Sequence, residues 1–377
     1  MKQDIFIIGA TGNVGKTLVR QILNEGDLRR EPVPAMIVGL ASSTSFVYSP
    51  DGLDSMACFG FSEKIPAYNG QKQTAYKSHD EFLNAVKLNK SSQDQLVFVD
   101  VTPLKDEMTR FHMAVINDTQ YNIVTANKNP IALSDYHTFE RLTHDVRRYE
   151  YRCSVMAGAQ AVPMVQELRD LNDAPIMIEG CFSGTLGYLC SELQKGERKF
   201  SEILNRAYEQ GYTETHPRDD LSGLDVARKL VVLARTAGYP VEFSDVNVQP
   251  FIKREYFSEN HVQRFIDSTA GLDNQFLERM ERLKSEGKTL RYVASMDATG
   301  NPIRLLVDLR EVPVSSGLGS LEGTLNKILI VSKVHPVDKP YSIQSQGAGP
   351  EVTAQNIRSD LLHFLPQRYS NGNNRQP

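Results

Sequence analysis

The chain reads as an α/β protein, a doubly wound parallel sheet followed by a second, α+β domain. Three observations predict this. Short apolar runs alternate with amphipathic stretches over the first third, which is the rhythm of βαβ units. A glycine-rich turn joins the first apolar run to the first amphipathic stretch. From about Tyr151 the order changes, with helical stretches leading into a strand-rich region. At 377 residues there is chain enough for two domains with cores of their own.

Taken in order, "DIFIIG" is a buried strand, and "VGKTLVRQIL" places Val14, Leu18 and Ile22 on one helical face. "AMIVGLA", "LVFVDVT" and "NIVTAN" are further strands, with helical patterns such as "KDEMTRFHMAVI" between them. A parallel sheet of this kind holds its ligands at the C-terminal strand edges. Ser42 to Ala75, rich in Ser, Gly and Tyr, reads as an irregular insertion after the second strand. Helices are expected over Val162–Leu171, Ser201–Tyr208 and Gly223–Thr236, ahead of strands in "LRYVASMD", "IRLLVDLREV" and "KILIVSK". A last helix over Glu351–Phe364 follows the turn "QSQGAGP", and the tail "QRYSNGNNRQP" has the composition of a disordered segment. The expected division is 1–150 and 151–340, with the helix of 341–377 packing back onto the first domain.

Composition narrows the partners. The formal charge is -4, with 23% charged residues, and the nearest thing to a basic cluster is Arg147-Arg148. Nucleic-acid binding needs clustered Lys and Arg, so that class is excluded. No segment approaches the roughly eighteen apolar residues of a membrane helix, and the opening "MKQDIFIIGA" lacks the form of a signal peptide. Four cysteines without CxxC spacing read as reduced, buried thiols, which suits a cytoplasmic protein.

"IIGATGNVGKTL" admits two machines. Gly15-Lys16-Thr17 resembles the end of a phosphate loop, and "QLVFVD" resembles the strand that delivers its magnesium aspartate, Asp100. A phosphate loop needs four residues between its first glycine and Gly-Lys; here five separate Gly9 from Gly15, and Ala10 stands where glycine is required. The alternative needs a strand, a glycine turn and a helix whose N-terminus faces a pyrophosphate, and all three occur in order. The reading is therefore a Rossmann-like dinucleotide site built from Gly9, Thr11, Gly12, Asn13, Val14 and Gly15. Its GxxGxxG spacing also suits a plain structural turn. At the end of the second strand stands Ala41-Ser42-Ser43, where an NAD-selective site would place an acidic residue. A 2′-phosphate meets no repulsion there, so NADP is tolerated as well as NAD.

The stretch richest in chemistry is "GYTETHPRDDLSGLDVARKLVVLAR", Gly211 to Arg235. Glu214, Asp219, Asp220 and Asp225 crowd a turn and a helix start, and Lys229 follows Asp225 at i+4, on the same helical face. Plainer readings fit the spacing equally. Ser222 and Asp225 suit a capping box. Asp225–Lys229 suits a surface pair contributing about 0.3–0.5 kcal/mol. The acidic turn suits a solvated helix N-terminus or a loose divalent-metal site.

This segment resembles the signature of the homoserine dehydrogenases. "EGCFSGTLGYL", "VTANKNPIAL" and "QSQGAGPEVTAQNI" resemble further segments of that family in the same order. The resemblance implies reversible, NAD(P)-dependent reduction of aspartate 4-semialdehyde to homoserine, in threonine, methionine and isoleucine biosynthesis. By the same resemblance, Lys229 is the lysine near the reacting oxygen, Asp225 holds its ammonium, and Lys128 is a second lysine for proton transfer or positioning. Glu214 and Asp220, with Asp219 a weaker third, would take the substrate ammonium beside Gly184 and Thr185. Thr102, Lys128, Gly347 and Gly349 would join the glycine turn around the cofactor. The 151–340 region becomes the substrate-binding, catalytic and dimerisation domain of a homodimer. A monovalent cation, Na+ or K+, is implied near Glu150, Val155 and Gly158.

Two departures stand out. "VMAGAQAVP" is longer than the family's loop, which bears on the cation site, and Thr215-His216 replaces the commoner Pro-Asp, leaving His216 as an exposed loop histidine. Aspartate-semialdehyde dehydrogenase is a rival with a similar opening, but it needs a nucleophilic cysteine. The one tempting position, Cys153 in "YRCSV", reads as a buried mid-strand thiol. A dinucleotide sensor without turnover is a rival of another class, disfavoured by the two lysines. The chain shows no room for an aspartate kinase before Met1 and no regulatory domain after the last helix, so threonine is expected to inhibit little.

Overall fold

Seven strands make the first sheet: β1 (Gln3–Ile8), β2 (Ala35–Ala41), β3 (Ser45–Tyr48), β4 (Thr74–Ala75), β5 (Leu96–Asp100), β6 (Asn122–Thr125) and β7 (Tyr149–Glu150). The computed structural model describes residues 2–365 except 32, 66–72, 90–95 and 145–146, so the tail expected to be disordered lies outside the described residues. The spatial order is β4-β3-β2-β1-β5-β6-β7, and the five strands from β2 to β7 run parallel. Every residue of β1 is buried, as is every residue of β5, which is why these strands read as continuous apolar runs. Chain order reverses between β2 and β5 around β1, so the crevice beyond the C-terminal end of β1 is the topological switch point.

The Ser42–Ala75 insertion is a correction. Its described residues include β3, antiparallel to β2, β4, antiparallel to β3 at the sheet's edge, and a helix over Ser55–Ser62. Asp54 caps that helix by accepting the Ala57 N–H at 2.7 Å. At four residues with two adjacent buried ones, Phe46 and Val47, β3 offers too little alternation to be read from sequence.

The second sheet holds β8 (Met177–Cys181), β9 (Val246–Val248), β10 (Lys288–Asp297), β11 (Arg304–Pro313), β12 (Leu325–Val331) and β13 (Tyr341–Gln346). Their order is β13-β12-β8-β10-β11-β9, antiparallel except for the β9–β11 pair at one edge. The Leu224–Thr236 helix is buried nearly all round, with Leu230, Val231, Val232, Leu233 and Ala234 fully enclosed. A helix held on all sides is a rigid mount for a side chain at its N-terminal end.

After β13 the chain crosses back. The Pro350–His363 helix lies against the Asn13–Asn24 helix, with Arg358 bidentate to Asp27 at 2.7 and 2.9 Å. Arg20 and Gln21 reach Glu351 at its start, and Gln3 Nε2 donates to the Leu361 carbonyl at 2.6 Å. Ala354, Ile357 and Leu361 complete the core on that face of the first sheet.

Candidate active site

A cavity of about 880 Å³ opens at the switch point, between the strand edges of the first sheet and the Leu224–Thr236 helix. Asn13, Val14, Thr102 and Lys128 line it on one side, Glu214, Asp219, Asp220, Asp225 and Lys229 on the other, and Gly347–Gly349 across the gap. Gly184 and Thr185 face an adjoining pocket that shares Glu214, Asp220, Asp225 and Lys229.

The dinucleotide cradle follows from local geometry. Gly9 leaves β1 at φ +89, and Gly12 is the N-cap of the Asn13–Asn24 helix, with no side chain capping it. The first-turn N–H groups therefore keep their donors for an anion at the positive end of the helix. A Cβ on Gly15 would overlap the Gly9 carbonyl oxygen, so this glycine lets helix and strand pack closely. Gly9, Thr11, Gly12 and Gly15 shape the turn, while Asn13 and Val14 face the cavity. On the opposite wall a Cβ at Gly347 would run into Asn326, and Gly349 at φ +135 starts the C-terminal helix. These residues fit a pyrophosphate. At the end of β2, the Ser42 hydroxyl accepts Ser45 N–H at 3.1 Å inside the turn to β3.

The two lysines meet on one carboxylate. Asp225 Oδ2 lies 2.8 Å from Lys229 Nζ, and Oδ1 lies 3.1 Å from Lys128 Nζ. Burial alone would push the Asp225 carboxyl upward, but the Lys128 and Lys229 ammoniums outweigh it and hold it well below the usual carboxylate range. Lys229 also donates to the Phe182 carbonyl at 2.7 Å, which ties the helix to the end of β8. Arg228 stands 3.6 Å from Asp225 Oδ1. The capping-box reading fails here. Gly223, at φ +74, is the N-cap, and Ser222 Oγ accepts Leu224 N–H while donating to the Asp219 carbonyl. Asp225 is therefore free for the lysines.

The acidic turn separates into unequal roles. Asp220 is a strut: Oδ2 accepts Glu214 N–H at 2.9 Å, and Oδ1 lies 2.9 Å from the Thr185 hydroxyl. That hydroxyl also sits 2.6 Å from the Tyr212 carbonyl, and its single proton serves one acceptor at a time. Burial lifts the Asp220 carboxyl to about 6, aided by the charges of Glu214 and Asp225 and resisted by its two hydrogen bonds. Glu214 and Asp219 are exposed on the same wall. His216 is not an exposed loop residue. It is half-buried against Phe265, and its Nδ1 accepts Arg218 N–H to cap the Pro217–Leu221 helix.

Around the implied cation site several oxygens accept one hydrogen bond each. The Val155 carbonyl accepts Gly158 N–H at 3.2 Å, and the Ala157 carbonyl accepts Asn356 Nδ2 at 3.0 Å. Met156, Ala157 and Gly158 run consecutively at positive φ, the form the longer loop takes. The Glu150 carboxylate pairs with His363 Nδ1 at 3.1 Å, beside Asp360, which already holds Arg152 at 2.8 Å. Cys153 lies in a short 3-10 turn, not mid-strand, and burial holds its thiol well above the usual range. A thiol so placed is a poor nucleophile. Sequence reasoning missed the Phe182 carbonyl, since a backbone acceptor leaves no residue-type signal.

Comparison with known proteins gives a consistent answer. The family model described as homoserine dehydrogenase matches residues 163–362. The chain is 32% identical to the bifunctional aspartokinase/homoserine dehydrogenase 2 of Escherichia coli over 365 residues, covering 94% of this chain and 42% of that protein. It therefore spans about two-fifths of the bifunctional relative. Against the homoserine dehydrogenase of Schizosaccharomyces pombe it is 28% identical over 97% of this chain and 96% of the other. A hyperthermophilic archaeal homoserine dehydrogenase solved in complex with NADPH shares the fold at TM-score 0.69 and 18% identity, covering 96% of this chain and 97% of that one. Among the described residues no helix is long and apolar enough to cross a membrane.

Proposed function

The chain belongs to the homoserine dehydrogenase family of oxidoreductases, and from that premise we propose that it interconverts L-homoserine and L-aspartate 4-semialdehyde with NADP or NAD. The observation that carries the reading is Asp225 bridging Lys229 and Lys128 at the switch-point edge. Two ammoniums on one carboxylate leave net positive charge where a carbonyl oxygen would gain negative charge.

The nicotinamide cofactor supplies or accepts the hydride; the chain's residues do the rest. The uncapped helix start at Gly12 takes the pyrophosphate, with Thr102 and Gly347–Gly349 around it. Of the three Lys229 N–H donors, one goes to Asp225 and one to the Phe182 carbonyl. The third is left for the substrate oxygen. In reduction Lys229 stabilises the oxygen as it becomes alkoxide-like, and a proton from the lysine pair completes the alcohol. In oxidation the hydroxyl proton leaves by the same route. Glu214, whose carboxylate is exposed on the cavity wall, takes the substrate ammonium, while Asp220 holds the Tyr212–Glu214 segment in place and adds its charge when ionised. No step is assigned to a monovalent cation.

The absence of an acidic residue at Ala41-Ser42-Ser43 supports NADP use alongside NAD, and the NADPH complex of the archaeal relative supports the cofactor class. A cytoplasmic homodimer acting in threonine, methionine and isoleucine synthesis belongs to the same reading. Its support is family likeness together with four buried, unpaired cysteines. The test is homoserine-dependent reduction of NADP or NAD by the purified protein at alkaline pH, where release of a proton favours oxidation. Absence of homoserine-dependent turnover with both cofactors would overturn the assignment.

A further inference from the structure

Asp100 ends β5 with 1% of its surface exposed, and the chemistry above does not use it. Its carboxylate is where two cavity-lining loops cross. Oδ1 accepts the Thr102 N–H at 2.8 Å and the Thr102 hydroxyl at 2.7 Å, while Oδ2 accepts Asn127 Nδ2 at 3.0 Å. Asn127 passes the constraint on: Nδ2 also donates to the Leu104 carbonyl at 2.8 Å, and Oδ1 accepts Asn129 N–H at 3.0 Å. Asn129 Nδ2 in turn donates to the Pro103 carbonyl at 2.9 Å. Both sequence neighbours of Lys128 are thereby fastened to the loop that follows Asp100.

Behind the carboxylate stands His112, itself 1% exposed. Its Nε2 lies 3.3 Å from Asp100 Oδ2, off the line of a good hydrogen bond. Its Nδ1 lies 2.9 Å from the buried Tyr149 hydroxyl on β7. Burying a carboxylate is costly unless it is paired and hydrogen-bonded. A carboxylate is acceptor-only on both oxygens, which suits three donors converging from two loops. With its oxygens so engaged, Asp100 is also not the magnesium ligand of a phosphate-loop enzyme.

We propose that Asp100 is a positioning residue for Lys128, fixing where the Lys128 ammonium meets Asp225, with His112 and Tyr149 steadying the carboxylate from behind. This rests on the reading of Lys128 as part of the reaction site. Asp100→Asn preserves shape but turns one acceptor into a donor facing other donors. Its kcat for homoserine oxidation is expected to fall about tenfold or more, with KM changed less than about threefold. In a Lys128→Ala background at saturating cofactor the same change is expected to alter the residual rate by less than about twofold, because the lysine it positions is gone. Amide hydrogen exchange is expected to rise in Thr102–Leu104 and Asn127–Asn129. Equal losses in the two backgrounds, or unchanged exchange at Asn127–Asn129, would overturn the proposal and leave Asp100 as general scaffold. If Asp100→Asn does not fold, His112→Gln carries the same cycle and the same exchange measurement. If the wild type does not turn over homoserine, the functional reading has failed, and the exchange comparison still decides the role of Asp100.

Discussion

At Lys229 the readings as surface pair and as proposed catalytic group predict different outcomes. Two of its donors are committed within 2.8 Å, and Asp225 keeps Lys128 as a second cation when Lys229 is removed. Lys229→Ala is therefore expected to fold and bind cofactor normally. Its kcat should fall on the order of a hundred- to thousandfold, the cost of losing a charged donor at a developing oxyanion. Near-wild-type turnover would return Asp225–Lys229 to the status of a helix pair contributing about 0.3–0.5 kcal/mol. Lys229→Arg keeps the charge but cannot give up a proton near neutral pH, so a dead arginine variant argues for proton transfer and an active one for electrostatics. Asp220 supplies a pH test. With its carboxyl lifted to about 6, chiefly by burial, it is neutral below that pH and anionic above it. Affinity for the substrate ammonium should therefore weaken as pH falls through about 6, seen as rising KM for homoserine with unchanged cofactor affinity. Asp220→Asn should flatten that limb; an unaltered limb in the variant would assign it to another group.

Among the elements, the crossing helix Pro350–His363 carries the clearest consequence. Its start bears the Gly347–Gly349 wall of the cavity, and its body is held to the first domain by the Arg358–Asp27 pair, largely shielded from solvent. Arg358→Ala is expected to cost about 1.5–3 kcal/mol of docking, as for a lost hydrogen bond to a charged group. Cofactor Kd should rise more than KM for homoserine, because the proposed substrate side rests on the Leu224–Thr236 helix. An equal rise in both would show that the helix does not act through the cofactor wall. The elements that form this cavity were mostly legible in sequence. The βαβ rhythm, the glycine turn and the Asp225/Lys229 spacing each rest on local periodicity or local chemistry. What escaped depends on distant partners. β3 is defined by pairing with β2 and β4, and β9 by a parallel seat beside β11. The Asp220–Thr185 contact and the Asp100–His112 approach join residues from separate elements, which no spacing rule reports.

At the scale of the whole molecule, the two sheets do not enclose separate cores. One continuous apolar cluster runs from Phe6, Phe82 and Phe98 under the first sheet, through Tyr151, Val155 and Val162, to Ile178, Tyr292 and Ile328 under the second. The chain then returns from β13 to the Asn13–Asn24 helix, so each half holds an element that depends on the other. Chains of this length often unfold domain by domain; this packing predicts one cooperative transition instead. The cofactor gives the deciding measurement. At about a hundred times its Kd, a ligand bound only to the native state adds roughly 2.7 kcal/mol. With about 2.1 cal/mol/K of unfolding entropy per residue, that corresponds to a rise in Tm of roughly 3 °C for a chain of this size. Scanning calorimetry should show a single peak that moves as a whole by this amount with NADP. Near-ultraviolet circular dichroism, and exchange protection in the Asp273–Ser285 helix, far from the cofactor cradle, should follow the same curve. Two peaks, with only one displaced by NADP, would mean that the shared cluster does not couple the sheets.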